Sequence, residues 1–288
     1  MNFELSFRPP YDWGALISFL GARAISGVEA IDGSSYRRIV RLSHKDGCHV
    51  GWIEIAPRNS KAAMRVSVSA SLAKVVPAVL SRAKHLMDLS CNPAEIAGAL
   101  GPLAAANPGL RVPGAFDGFE IAVRAILGQQ VTVAAARTLA GRFAAGFGTP
   151  AESPFASLST AFPLPEQVAD LELQDLTRLG VLASRARSIL ELAKAVSKGE
   201  ITLTPGVDVP EMLAKLQSIP GIGDWTAQYI AMRALAWPDA FPHTDLGVMK
   251  ALGERNPRRV LAAGKAWQPW RAYAVMHLWA GGPHESAR

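Results

Sequence analysis

Cysteine is nearly missing from this chain of 288 residues: it has two, Cys48 and Cys91. Two thiols exclude a four-cysteine zinc or iron–sulfur site and a disulfide framework, and their scarcity fits a reducing, cytoplasmic setting. Long apolar runs are missing too. No stretch approaches the roughly 20 apolar residues that cross a bilayer, so no membrane partner is expected. The opening MNFELSFRPP has neither an apolar core nor a small-residue cleavage site, and no signal peptide is read there. Charged residues are sparse, at 19% against 49% hydrophobic. That balance excludes extensive disorder and allows a large core. The chain shows no internal repeat and no low-complexity tract.

The length is enough for two or three domains. Thirty Lys and Arg against 24 Asp and Glu leave a formal charge of +6, which permits nucleic-acid binding without demanding it. Distribution says more. Lys250, Arg255, Arg258, Arg259, Lys265 and Arg271 are opposed by Glu254 alone between residues 246 and 271. Residues 1–90 also carry a basic excess, with 12 Lys and Arg against 7 Asp and Glu.

Residues 1–90 read as an α+β unit with an antiparallel sheet. Asp12 can cap a helix over Asp12–Ala24. Strand-like runs follow at Gly27–Ile31, Tyr36–Ser43, His49–Ala56 and Met64–Ala70, with Gly33-Ser34 and Asp46-Gly47 as turns. A helix over Leu72–Leu89 closes the unit. From Cys91 onward the pattern is helical. Predicted segments run over Pro93–Leu100, Phe116–Leu127, Val131–Phe147, Pro165–Asp170, Leu173–Leu179, Ala183–Lys198, Val209–Gln217, Asp224–Leu235, Leu246–Leu252, Pro257–Lys265 and Pro269–Trp279. The Pro/Ser/Thr-rich stretch Thr149–Pro165 is expected to be an irregular surface connection.

The stretch Leu216–Asp245, LQSIPGIGDWTAQYIAMRALAWPDAFPHTD, is the most informative. Its turn, Pro220-Gly221-Ile222-Gly223, precedes a helix whose free N–H groups and dipole make an anion site. A bare PGIG is more simply a tight αα-turn. With an apolar helix before it and Thr226-Ala227 after it, it reads as a helix–hairpin–helix, which grips a phosphate backbone without reading base sequence. Asp245 follows behind a loop bracketed by Pro238 and Pro242. Taken alone, an Asp there is a helix N-cap.

The ordered set of motifs goes further. LQSIPGIGDWTAQYIAMRAL followed by FPHTD resembles the signature of the helix–hairpin–helix DNA glycosylases. PPYDW at 9–13, CNP at 91–93, NPGLRVPG at 107–114, RAILGQQV at 124–131 and PWRAYAVMHLW at 269–279 extend the resemblance over the whole chain, to the bacterial 3-methyladenine DNA glycosylase II branch. The resemblance implies an α+β N-terminal domain (1–90) and an all-α core of two helical subdomains. One, 91–114 plus 232–288, carries the catalytic Asp; the other, 115–231, carries the helix–hairpin–helix. It also implies that Asp245 is the single catalytic carboxylate. Trp225, Tyr229, Trp279 and Phe19 would bind the base, with Arg23 beside Phe19. Gln129, Gln130, Gly221, Ile222, Gly223 and Thr226 would meet DNA. Gln130 would stand where the branch can carry an apolar wedge.

Two departures narrow the activity. The cluster-bearing branches carry four cysteines near the C-terminus, and this chain has none there. Bifunctional members place a Schiff-base lysine two residues after the second hairpin glycine; here that residue is Trp225. The implied enzyme is therefore monofunctional. It takes a base flipped out of double-stranded DNA, holds an electron-poor alkylated purine such as 3-methyladenine or 7-methylguanine against aromatic faces, and leaves an abasic site. No second acid is visible, unlike the paired carboxylates of ordinary glycosidases. His243 and His277 are candidates for a proton role, although lone histidines are more often structural. Trp267 and Trp270 read equally well as core. No cofactor or metal is expected, apart from a possible monovalent cation at the hairpin carbonyls. A monomer is the default. Two alternatives remain open: a non-catalytic helix–hairpin–helix DNA-binding protein, and a glycosylase for oxidised or deaminated purines.

Overall fold

The computed structural model describes residues 1–281. Its first part is a five-stranded antiparallel sheet with the order β1-β5-β4-β3-β2. The strands are β1 (Asn2–Ser6), β2 (Glu29–Asp32), β3 (Ser35–His44), β4 (Gly47–Pro57) and β5 (Ala63–Val68). The expected alternation of β5 holds: Met64, Val66 and Val68 are buried. β1 is not among the expected strand runs, being only five residues long at the start of the chain, although Asn2–Ser6 alternates polar and apolar residues; it pairs Phe3 with Val66 along the sheet edge. Helix α1 (Trp13–Ala22) starts where expected, with the Asp12 carboxylate accepting from Ala15 N. The single helix expected over Leu72–Leu89 is in fact a 3-10 turn, Ala70–Val75, followed by α2 (Val76–Leu86). Pro77, at the second position of α2, lacks the N–H that would continue an earlier helix.

The remaining chain is helical, as its pattern predicts. Its helices are α3 (Pro93–Leu100), α4 (Pro102–Ala105), α5 (Gly118–Leu127), α6 (Val133–Phe147), α7 (Pro165–Ala169), α8 (Leu173–Arg178), α9 (Ala183–Ser197) and α10 (Val209–Ser218). α11 (Asp224–Arg233), α12 (Leu246–Ala251), α13 (Pro257–Ala263) and α14 (Arg271–Gly281) follow. One continuous apolar core joins them, with α5 and α11 at its centre.

The segment Thr149–Pro165 is not a simple surface connection. Thr149–Pro150 (β6) pairs with Thr160–Ala161 (β7), and Leu158 and Ala161 pack on Ile39 of the sheet. Ser159 and Thr160 N–H both donate to the Gly27 carbonyl, and Phe155 meets Trp52 edge-on. The segment straps the sheet to the helices, which its polar composition conceals.

A buried charge cluster makes a second connection. From the sheet, Arg38 reaches the Glu120 carboxylate of α5 at 2.6 Å. From α5, Arg124 reaches Glu29 at 2.8 Å and Glu120 at 2.9 Å, and its other terminal nitrogen donates to the Arg23 carbonyl at 2.6 Å. Tyr36 Oη donates to Glu29. Two guanidinium groups face two carboxylates, so the cluster is balanced; removal of one member would leave a buried charge unpaired.

Asp88 ties the end of α2 to α14. It has a left-handed backbone (φ 48°) that Asp and Asn tolerate, and it accepts from Tyr273 Oη at 2.9 Å and Val112 N at 3.2 Å. Burial raises its pKa from 3.8 to about 7, against the lowering pull of those hydrogen bonds. A raised carboxyl pKa means that the folded state holds a proton which the unfolded chain has released. This contribution is full below pH 3.8 and is lost as pH rises through about 7. Asp88→Asn keeps the shape and the backbone preference. Urea unfolding at several pH values should show that the fall in stability between pH 4 and about 7 is flatter in this variant than in the native protein.

Candidate active site

α10, the turn Ile219–Gly223 and α11 form the helix–hairpin–helix. Gly221 has φ 89°, and a Cβ there would lie 2.4 Å from Ser188 Oγ, so the fold itself requires glycine. Gly223 differs. Its φ is −84°, and a Cβ would meet nothing within 4 Å. The protein does not demand glycine at that point, and the open space faces outward, where another backbone can approach. No side chain caps the α11 N-terminus.

Part of the expected DNA-contact set turns inward. Gln129 Nε2 donates to the Gly221 carbonyl at 2.8 Å and to Thr226 Oγ1 at 3.0 Å, so its amide braces the hairpin from the turn after α5. Thr226 is buried beneath it. Ile222 is buried in the core, and its N–H donates to the Ile219 carbonyl. Ile222 and Thr226 are thus withdrawn from the surface, and Gln129 is half-buried. The apolar environment on that side of the turn, invisible in the linear motif, is the reason. Ser188 Oγ donates to the Pro220 carbonyl at 2.6 Å. Gln130 is exposed with φ 53°, at the turn between α5 and α6, and Val131 and Val133 beside it are exposed as well.

A cavity of about 290 Å³ opens next to this turn. Trp225 and Tyr229 from α11, Trp279 from α14 and Asp245 at the start of α12 line it, with Arg23, Arg124, Ala125, Val131, Val133 and Arg137 around them. Trp225 and Tyr229 stack at 5.5 Å with their planes 12° apart, as their i, i+4 spacing predicts. Phe19 is not among the lining residues. It sits behind Trp279 at 6.3 Å and supports Arg23, whose guanidinium carbon lies 3.7 Å from the Phe19 ring centre.

Asp245 does cap α12, through Oδ1 and Val248 N at 3.0 Å. Its carboxylate has two further donors. Trp225 Nε1 donates to Oδ2 at 2.9 Å and Trp279 Nε1 to Oδ1 at 2.9 Å. Hydrogen bonds to an ionised group contribute about 1.5–3 kcal/mol each, so the carboxylate is fixed in one orientation facing the cavity. The two tryptophans thus have a role beyond stacking: each fixes the acid through its ring N–H. The sequence carries a partial signal, since Trp needs a partner for that N–H when half-buried.

Arg233 Nη1 donates to Tyr229 Oη at 2.7 Å. Burial pushes the Tyr229 pKa up, but the surrounding Arg233, Arg23 and Arg124 charges outweigh it and hold the phenol below its ordinary value. Arg23 is itself pushed down, mainly by burial. His243 pairs with Asp224 at 3.4 Å, and His277 is buried on α14 with its pKa lowered by burial. Neither lines the cavity. Trp267 and Trp270 are half-buried and pack edge-on against Phe241 and Tyr273 at the edge of the core.

An antiparallel-sheet domain, a helical core, and a hairpin leading into a carboxylate-bearing aromatic pocket together define a helix–hairpin–helix DNA glycosylase. Comparison with known proteins agrees. Residues 2–117 match the AlkA N-terminal domain, and residues 123–256 match the HhH-GPD superfamily base excision DNA repair protein model. DNA-3-methyladenine glycosylase 2 of Escherichia coli (strain K12) is 38% identical over 277 residues, covering 96% of both chains. This chain belongs to that enzyme's family. In fold it is similar to the 3-methyladenine DNA-glycosylase from Archaeoglobus fulgidus (TM-score 0.80, 21% identity, 96% of this chain and 97% of that one). It is also similar to the 8-oxoguanine glycosylase/lyase of Clostridium acetobutylicum in complex with double-stranded DNA (TM-score 0.65, 15% identity, 88% and 97%).

Nothing in the local sequence marks Gly247 as part of the site. A Cβ there would lie 3.0 Å from both Asp245 Oδ1 and Trp279 Cδ1, too close for the acid and the indole to keep their places. Gly247→Ala should slow single-turnover base release about tenfold through misplacement of the carboxylate. Thermal unfolding should be little changed, because alanine favours the helix by up to about 1 kcal/mol.

Proposed function

We propose that the protein is a monofunctional DNA glycosylase of base excision repair that flips alkylated bases from double-stranded DNA and hydrolyses the N-glycosidic bond. The observation that carries this reading is one carboxylate, Asp245, held by two indole N–H groups at the edge of an aromatic cavity beside the hairpin. A non-catalytic DNA-binding module has no use for such an arrangement.

The reaction follows from the geometry. Gly221, Gly223 and the free α11 N–H groups hold the phosphates next to the lesion. Gln130, exposed at the α5–α6 turn with Val131 and Val133 beside it, fills the gap left by the flipped nucleotide. The flipped base enters against Trp225, Tyr229 and Trp279. An electron-poor, cationic purine gains about 2 kcal/mol per desolvated aromatic contact. It is also a good leaving group that needs no proton, which fits a site without a second acid. Asp245 then faces C1′, stabilises the developing oxocarbenium and directs the attacking water. Trp225 stands at the position of the Schiff-base lysine in bifunctional relatives, so no strand cleavage follows.

The helices divide in this reading into two lobes, residues 115–231 and residues 91–114 plus 232–288, with the cavity between them. α5 and α11 line one side, Asp245 and Trp279 the other. The protein acts as a monomer in the cytoplasm; the two-cysteine composition fits a reducing compartment. One observation favours a wider substrate range. Arg23 and Arg124 place donors on the cavity wall, suited to the carbonyl oxygen of a neutral deaminated or oxidised purine.

Native protein should release 3-methyladenine and 7-methylguanine from methylated DNA, and Asp245→Asn should be slower by about 10²–10³-fold or more. Binding to an abasic-site analogue should survive in the variant. Release of no damaged base by either protein, with binding retained by both, would reject the enzyme reading. Borohydride should trap no covalent complex between the native protein and abasic DNA.

A further inference from the structure

The β3–β4 hairpin carries a side-chain cluster that the proposed chemistry does not use. His44 closes β3, Asp46 lies in the turn and His49 follows in β4. His44 Nδ1 is 2.7 Å from Asp46 Oδ1, and His49 Nε2 is 3.1 Å from the same oxygen. The three donor atoms all lie within 4.8 Å of one another. Lys74 Nζ donates to the other oxygen, Oδ2, at 2.7 Å. The carboxylate is therefore oriented from behind while Oδ1 faces both imidazoles. Strand pairing sets His44 opposite Gly47 and Leu42 opposite His49, so alternation puts both rings on one face. Gly47, at φ 124°, supplies a turn that other residues would strain. The cluster is remote from the cavity. Arg38, the β3 residue that meets α5, is six positions away, roughly 20 Å along the strand.

Two imidazole nitrogens and one carboxylate oxygen converging on a point form a donor set that a single cation can fill. Imidazole with carboxylate suits zinc, which accepts three protein ligands and a water in a tetrahedral shell. Bonds of about 2.0–2.1 Å place tetrahedral ligands about 3.4 Å apart. To reach that spacing the His44–Asp46 distance opens by about 0.7 Å and the His49–Asp46 distance by about 0.3 Å, and His44 and Asp46 are exposed enough to move. We propose that His44, Asp46 and His49 form a Zn²⁺ site at the hairpin tip, with water as the fourth ligand and Lys74 holding the carboxylate from outside. Each imidazole binds through the nitrogen now facing Asp46 and keeps its proton on the other nitrogen. Lys74 belongs to the 3-10 turn before α2, so the metal clamps the hairpin to that turn and stabilises the folded state by mass action.

The test uses the full-length, untagged, demetallated protein. Calorimetric titration with ZnCl2 should show one equivalent bound per chain, with no binding of MgCl2 at the same concentration, and Co²⁺ should give the intense visible bands of a tetrahedral centre. The double variant His44→Gln/His49→Gln should bind Zn²⁺ more than about tenfold more weakly, with its circular dichroism spectrum unchanged and its release of 7-methylguanine equal to that of the native protein. Failure of the native protein to bind one equivalent, or undiminished binding in the double variant, overturns the proposal. Neither result bears on the glycosylase reading, because base release is followed separately.

Discussion

A half-buried carboxylate stays where its donors hold it, and Asp245 has three among the described residues: the backbone N–H of Val248 and the ring N–H groups of Trp225 and Trp279. Each donor comes from a different part of the chain. Val248 fixes the acid to the start of α12, Trp225 to the first turn of α11 after the hairpin, and Trp279 to α14. The element that would grip DNA and the element that would break the bond are thereby locked together through one side chain. Gly247 shows how tight this arrangement is, since a single added methyl group would press on both the acid and the indole.

The rest of the molecule supports that constraint from behind. Gln129, in the turn after α5, braces the hairpin through Gly221 and Thr226, and Ser188 on α9 holds the Pro220 carbonyl. Arg124, on the same helix as the cavity wall, is neutralised by Glu29 of the sheet and Glu120 of α5 and holds the Arg23 carbonyl. The N-terminal sheet thus reaches the cavity through charge as well as packing. In the proposed reaction this matters twice: it keeps Arg23 and Phe19 beside the aromatic wall, and it balances positive charge where a cationic base must enter.

Much of this was legible in the sequence, for physical reasons. Period-2 alternation exposed most of the sheet, period-3.6 patterns exposed the helices, and the PGIG turn followed by a lone Asp marked the candidate site. What stayed hidden was partnership across distance. Nothing in the local pattern says that Trp225 and Trp279 share one carboxylate, that Glu29 and Arg124 meet 95 residues apart, or that the polar strap Thr149–Pro165 packs on a sheet. Inward and outward faces of a turn are equally ambiguous in a linear motif, so nothing local says that Ile222 and Thr226 are buried or that the Gln129 amide bonds to the hairpin. The converging histidines of the β3–β4 hairpin are hidden for the same reason, since only the strand register brings His44 and His49 to one face of the sheet.

In the proposed reaction the two indole N–H groups hold the Asp245 carboxylate facing C1′. Phenylalanine at both places keeps aromatic faces for the base and removes only the donors. Single-turnover release of 7-methylguanine by Trp225→Phe/Trp279→Phe should therefore fall about 10²-fold, while affinity for an abasic-site analogue stays within a few-fold of native. A release rate equal to that of the native protein would contradict the account.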